Sequence, residues 1–258
     1  MKEYDIYLFL GQSNMAGRGI VSERFKESYP EVPAGAGFEY RAVTDPGTLH
    51  HLTEPFGVEE NNPDGINDRW GEVRAKSGGL VSSFANTYYQ LTGIPVIGLS
   101  ASKGGSRIAE WLPGTPYFKD MMNRIDSLLG FVKKEGLIIR HMNVLFCQGE
   151  SDGDAGTDNW TESFHILESE LLSKGFEKIF MIPIGKMNIE GKYNKYDSIR
   201  EEQYELIRTD DKVILASSLL EGMLERGLMK DEFHYFQKAY NEVGWDAAKH
   251  VVKHIYNK

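Results

Sequence analysis

Four places in this 258-residue chain carry residue types and spacings that acyl transfer demands. Ser13 comes two residues after Gly11, where a short apolar run ends. Gly104 and Gly105 follow a second apolar run, and Gln148 and Glu150 close a third. Asp231 and His234 lie near the C-terminus with two residues between them. A serine hydroxyl is a poor nucleophile until a base takes its proton, and histidine suits that task because its pKa lies near neutrality. The histidine in turn needs a carboxylate to fix its tautomer and stabilise its charged form. The Asp231–His234 spacing lets a single turn supply one. Donors must also face the oxygen that gains charge. The N–H of Ser13, the N–H of Gly105 or Gly104, and the side-chain amide of Gln148 are donors of that kind, since glycine lets a backbone come close.

These groups meet only if the intervening chain brings them to one edge. Five short runs, 6–10, 95–101, 142–148, 178–184 and 212–217, read as strands buried on both faces. Between and after them, segments 80–91, 117–134, 160–174, 196–208 and 236–256 space apolar residues by three and four, as amphipathic helices do. Strands alternating with helices predict an α/β fold, with three α/β/α layers around a central, mainly five-stranded parallel sheet. Ligands bind such sheets beyond the carboxyl ends of the strands. Each chemically loaded segment follows a predicted strand, or precedes the last helix, so all should share one rim. The reading is one domain over 1–258. Residues 28–77, rich in Gly, Pro, Asn and acidic side chains, form a long loop excursion.

The bulk numbers exclude several classes. With 41% hydrophobic and 26% charged residues the chain can pack a core under an ordinary surface. A net charge of −9 repels phosphate backbones, so no nucleic-acid partner is expected. Cys147 is the single cysteine and reads as a small core residue. No run approaches the ~20 apolar residues of a membrane span, so no membrane partner is expected. The N-terminal apolar run is too short for a signal peptide, and the chain reads as cytoplasmic. A secreted protein trimmed of its leader would read the same. Neither phosphate-binding glycine pattern accompanies Gly104 and Gly105, which argues against a nucleotide. Segment 151–162 fails the calcium-loop template, because Gly156 stands where a ligand belongs; Asp152 there is a candidate brace.

Taken together, Gly11-Gln12-Ser13-Asn14-Met15, Gly104-Gly105-Ser106, the Gln148-to-Asp152 block and the Asp231–His234 pair resemble the SGNH (GDSL-type) hydrolases. The likeness is greatest to the branch with carbohydrate esterase family six and the sialic acid O-acetylesterases. It runs from Ser13 to His234 and agrees with a flavodoxin-like sheet. The resemblance implies Ser13 as nucleophile, His234 as base and Asp231 as its partner. It also implies Ser13, Gly105 and Gln148 as oxyanion donors. Gln148 stands where the wider family has asparagine, and Gln12 where it has aspartate. Glu150, absent from the general pattern, reads as a supporting or alternative acid, or as a brace for its loop. Met15 breaks the Gly-x-Ser-x-Gly elbow of the α/β-hydrolases.

The resemblance points to removal of acetyl groups from carbohydrates, such as acetylxylan, with no metal or organic cofactor. Alternatives on the same machinery are O-acetyl sialic acid, a lipid or an aryl ester. A silent carbohydrate-binding protein of the same fold is the rival of another class. Gln12 and Asn14 either orient the turn or touch substrate. Arg107 and Trp111 follow the glycine pair, where Trp111 is a packing residue or a wall for a sugar ring. Trp70 and Arg74 are weaker candidates of that kind. Arg18 and Lys103 either bring positive charge to the rim or lie on solvated surface. Oligomeric state is not legible.

Overall fold

A computed structural model describes residues 2–70 and 73–257, without the side chains of residues 70, 73 and 74. Strand β1 (Glu3–Gly11) is buried from Tyr4 onward, and its side chains alternate between two apolar layers. Ile6, Leu8 and Leu10 join one cluster, and Tyr7 and Phe9 join the other. That period of two is what a strand with both faces covered requires. On the first face pack α3 (Pro116–Glu135), α5 (Trp160–Ser173) and α6 (Asp197–Thr209), contributing Ile125, Phe164 and Ile199 among others. On the second pack α2 (Val81–Thr92) and α7 (Gln237–Tyr256), contributing Phe84 and Val243. The three layers expected from the sequence are present.

Among the described residues one sheet has seven strands, in the order β3 (Asp45–His51), β2 (Gly37–Arg41), β6 (Val96–Ser102), β1, β7 (Ile138–Cys147), β8 (Lys178–Met181) and β9 (Val213–Leu215). Strands β6, β7, β8 and β9 fall on the remaining expected runs. The expectation of five strands needs correction, because the excursion adds β2 and β3. β2 pairs parallel to β6, and β3 closes that edge antiparallel to β2. β3 escaped notice because it is mostly exposed and carries Pro46 and Gly47, which an edge strand tolerates and a central one does not. Arg69–Trp70 (β4) and Val73–Arg74 (β5) form a separate two-stranded pair.

The excursion is tied to the body by buried charges. Arg124 of α3 donates to Asp120, to the Ser100 carbonyl and to the Glu60 carbonyl, and Asp120 accepts from the Ile66 N–H and from Asn62. Glu54 accepts from the N–H groups of Val81 and Ser82, so an excursion carboxylate caps α2. Among the described residues no helix is long and apolar enough to cross a membrane.

Candidate active site

Parallel pairing lines up the carboxyl ends of the central strands. Gly11 stands opposite Ser102 of β6 and Cys147 of β7. The order of strands reverses direction around β1, which opens a crevice beyond that edge. Gly11 allows the chain to turn there: a Cβ would sit 2.0 Å from the Cys147 carbonyl oxygen. The Gln12 N–H bonds that same oxygen at 3.0 Å. The chain then enters the four-residue helix α1 (Ser13–Ala16), with Ser13 at its first position. A first-turn N–H has no partner within its own helix.

His234 lies on the segment before α7. Its Nε2 lies 2.9 Å from Ser13 Oγ, and its Nδ1 lies 3.0 Å from each oxygen of Asp231. Asp231 also accepts from the N–H groups of Phe233 and His234, at 2.9 and 2.7 Å. Partial burial pushes the Asp231 carboxyl up, but the His234 ring and those N–H groups outweigh it and hold it well below the usual carboxylate range. An ionised Asp231 keeps the proton of a neutral imidazole on Nδ1 and leaves Nε2 to accept from the serine hydroxyl.

The two glycines of the second block differ in role. The Gly104 N–H donates to Asp68 at 3.1 Å and is occupied. Gly105 has φ +73°, faces the cleft, and among the described residues its N–H meets no acceptor. Gln148 does not fit the donor role read for it. It is fully buried, its amide hydrogens go to the Ser106 carbonyl (3.1 Å) and to Asp152, and its oxygen accepts from Trp160 Nε1. It fastens β7 to the Ser106 turn. Asp152 completes that brace, accepting from the Ile108 N–H and the Thr157 hydroxyl.

The other candidates separate by burial. Gln12 lines the cleft while its oxygen accepts from the N–H groups of Gly149 and Ser151. Asn14 is buried away from the cleft, donating to Glu150 and the Phe233 carbonyl and accepting from Tyr240. Its reading as a substrate contact is therefore corrected to that of a tie between the Ser13 turn and the His234 segment. Glu150, the first residue of the short helix α4 (Glu150–Ala155), bonds Asn14 at 2.6 Å and makes no hydrogen bond to His234; burial raises its pKa. Trp111 is 1% exposed, with Nε1 on Ser106 Oγ, so it is a packing residue and not a sugar wall. Arg107 is exposed and outside the cleft lining. The side chains of Trp70 and Arg74 lie outside the described residues.

Neither Arg18 nor Lys103 is free surface. Arg18 lines the cleft and is paired with Asp68 at 2.7 and 2.9 Å, both groups buried. Lys103 Nζ donates to the Gly104 carbonyl at 2.8 Å. Phe233 and Asp68 were missed. Phe233 had a signal, standing beside His234, whereas Asp68 is one acid among many in the excursion. The cleft measures about 300 Å³. Among the described residues one cluster has metal-ligand types, His165, Glu168 and Asp210, away from the cleft beside the amino end of β9. Its imidazole already stands between the two carboxylates, at 3.0 and 3.7 Å.

The site can therefore generate a nucleophile, hold its proton and offer backbone donors to an oxyanion. The family model described as "Carbohydrate esterase, sialic acid-specific acetylesterase" matches residues 3–253. No curated protein matches the chain. A solved structure of a protein from Arabidopsis thaliana is 23% identical with a TM-score of 0.70, covering 95% of this chain and 96% of its own. NanS is 14% identical with a TM-score of 0.61, covering 99% and 97%. XAC1771 from Xanthomonas citri, described as a carbohydrate acetylesterase, is 15% identical with a TM-score of 0.59, covering 98% of this chain and 57% of its own. These likenesses show a shared fold. The match over nearly the whole length shows more: the chain belongs to the sialic acid-specific acetylesterase family of carbohydrate esterases, and is a carboxylic ester hydrolase.

Proposed function

We propose that this O-acetyl esterase works through an acetyl-Ser13 intermediate and takes acetyl groups from the hydroxyls of sugars. The observation that carries the reading is the continuous Ser13–His234–Asp231 chain of contacts, at 2.9 and 3.0 Å. His234 Nε2 takes the Ser13 proton as Oγ bonds to the acetyl carbon. The oxyanion that forms accepts from the N–H groups of Ser13 and Gly105. The tetrahedral intermediate then breaks its bond to the sugar oxygen, which leaves with the proton held by His234. Water repeats the sequence: His234 takes its proton, its oxygen bonds to the acetyl carbon, and acetate departs as Ser13 regains a proton.

A cleft of about 300 Å³ suits a small acyl group, at the lower end for ligand sites. The name of XAC1771 supports a carbohydrate alcohol as the leaving group. Acetylxylan and related acetylated sugars are the proposed substrates, with O-acetyl sialic acid the neighbouring choice. Two measurements test this. Ser13→Ala should lower kcat on p-nitrophenyl acetate by on the order of 10⁴ or more and abolish the acyl-enzyme burst. Wild-type turnover in the folded variant would remove Ser13 from the mechanism. Acetate release from acetylated xylan, simple sugar acetates and O-acetyl sialic acid then ranks the substrates. A folded wild-type protein that cleaves none of these would be a binding protein of the same fold.

A further inference from the structure

Gly104 is held by two residues that no part of the proposed mechanism uses, one on the peptide before it and one on the peptide it shares with Gly105. On one side Asp68, 2% exposed, accepts from the Gly104 N–H at 3.1 Å. On the other Lys103 Nζ donates to the Gly104 carbonyl at 2.8 Å. The Gly104 carbonyl and the Gly105 N–H belong to one trans peptide, so they point in opposite directions. Holding that carbonyl on Lys103 sends the Gly105 N–H the other way, from a residue that faces the cleft. The ammonium also polarises the peptide and makes its N–H a better donor. Beyond the glycines, Ser106 closes the turn with its N–H and Oγ both on the Lys103 carbonyl.

We propose that Asp68 and Lys103 are positioning residues that aim the Gly105 N–H at the oxyanion, and that Arg18 holds Asp68 in place. The inference rests on the esterase reading given above. Arg18 follows the nucleophile helix, Asp68 comes from the excursion, and Gly104 follows β6. One buried carboxylate therefore links three segments that must agree for the oxyanion site to exist. Room is tight enough to fix them: a Cβ on Gly104 would stand 2.4 Å from Arg18 Nη2 and 3.0 Å from Asp68 Oδ1. Burial pushes the Asp68 carboxyl up, but the Arg18 bonds and charge hold it below the ordinary value, so it acts as an acceptor only.

The test uses Asp68→Asn and Lys103→Met in the full chain, with p-nitrophenyl acetate and an alkyl boronic acid that forms a tetrahedral adduct on serine. Asp68→Asn turns one acceptor oxygen into an amide nitrogen facing Arg18. Lys103→Met removes the donor at a half-buried position and keeps the stem. Each should lower kcat by roughly 10- to 100-fold, with KM and burst amplitude nearly unchanged. Boronate affinity should fall in parallel, and Lys103→Arg should restore most of the rate. A merely structural role would lower the burst amplitude and leave turnover per active site intact, which would overturn the proposal. Wild-type kcat in folded Lys103→Met would also overturn it, and that variant decides alone if Asp68→Asn does not fold. An active Ser13→Ala would defeat the esterase reading instead, so the two failures are separable.

Discussion

Two carboxylates compete for the role of His234's partner, and their surroundings set them apart. Asp231 touches the imidazole at 3.0 Å and is held ionised by three donors. Glu150 touches Asn14, and its burial favours the protonated form. Asp231→Asn should therefore cost on the order of 10⁴ in kcat, and Glu150→Gln far less, because glutamine still accepts from Asn14. Stability against pH reads Glu150 separately. Its folded pKa is raised, so above the unfolded value the native state binds more protons than the unfolded state. Its contribution then falls as pH rises through that window. In urea melts at pH 5 and pH 7, Glu150→Gln should gain stability relative to wild type at the higher pH. An equal difference at both would show that Glu150 ionises freely. The placement of Ser13, Gly105, Asp231 and His234 on one rim was legible from residue type and from position after a strand. The inward turn of Gln148, Asn14 and Trp111 was not. The same residue types serve a cleft or a brace, and only the partners Asp152, Glu150 and Ser106 tell which.

At the scale of elements, the site depends on how β1 leaves the sheet. At Gly11 the backbones of β1 and β7 leave no space for a methyl group beside the Ser13 turn. Gly11→Ala should destabilise the fold by about 1–3 kcal/mol or more, because rigid backbone, not a flexible side chain, must give way. It should also lower the fraction of enzyme that gives a burst, since Ser13 lies two residues on. Wild-type values in both measurements would mean that the strand ends part without cost. Strands β1, β6, β7, β8 and β9 were readable because each is a short apolar run between polar turns. β2 and β3 were not, because their stability lies in pairing, β2 with β6 and β3 with β2, and in specific bonds. Glu39 of β2 is buried and partnered by Arg41 and the Gly57 N–H, so its sequence resembles loop.

At the scale of the whole molecule, the excursion is a structural member. It caps α2 through Glu54, holds Arg124 through the Glu60 carbonyl, and through Asp68 bonds the cleft-lining Gly104 and Arg18. Part of its attachment is polar and buried, which makes it sensitive to the loss of one partner. Arg124 is 2% exposed and bonds Asp120, the Ser100 carbonyl and the Glu60 carbonyl. Arg124→Met should cost about 3–5 kcal/mol in urea unfolding, chiefly by leaving Asp120 charged and buried without its cation. Adding Asp120→Asn should recover part of that loss, because the uncompensated charge goes and the acceptor for the Ile66 N–H stays. If the excursion carries Asp68 as a rigid piece, the single variant should also cut more readily between residues 28 and 77 under limited proteolysis, and its kcat should fall with that opening. Stability lost without either change would mean that the excursion holds its place by β2 and β3 alone.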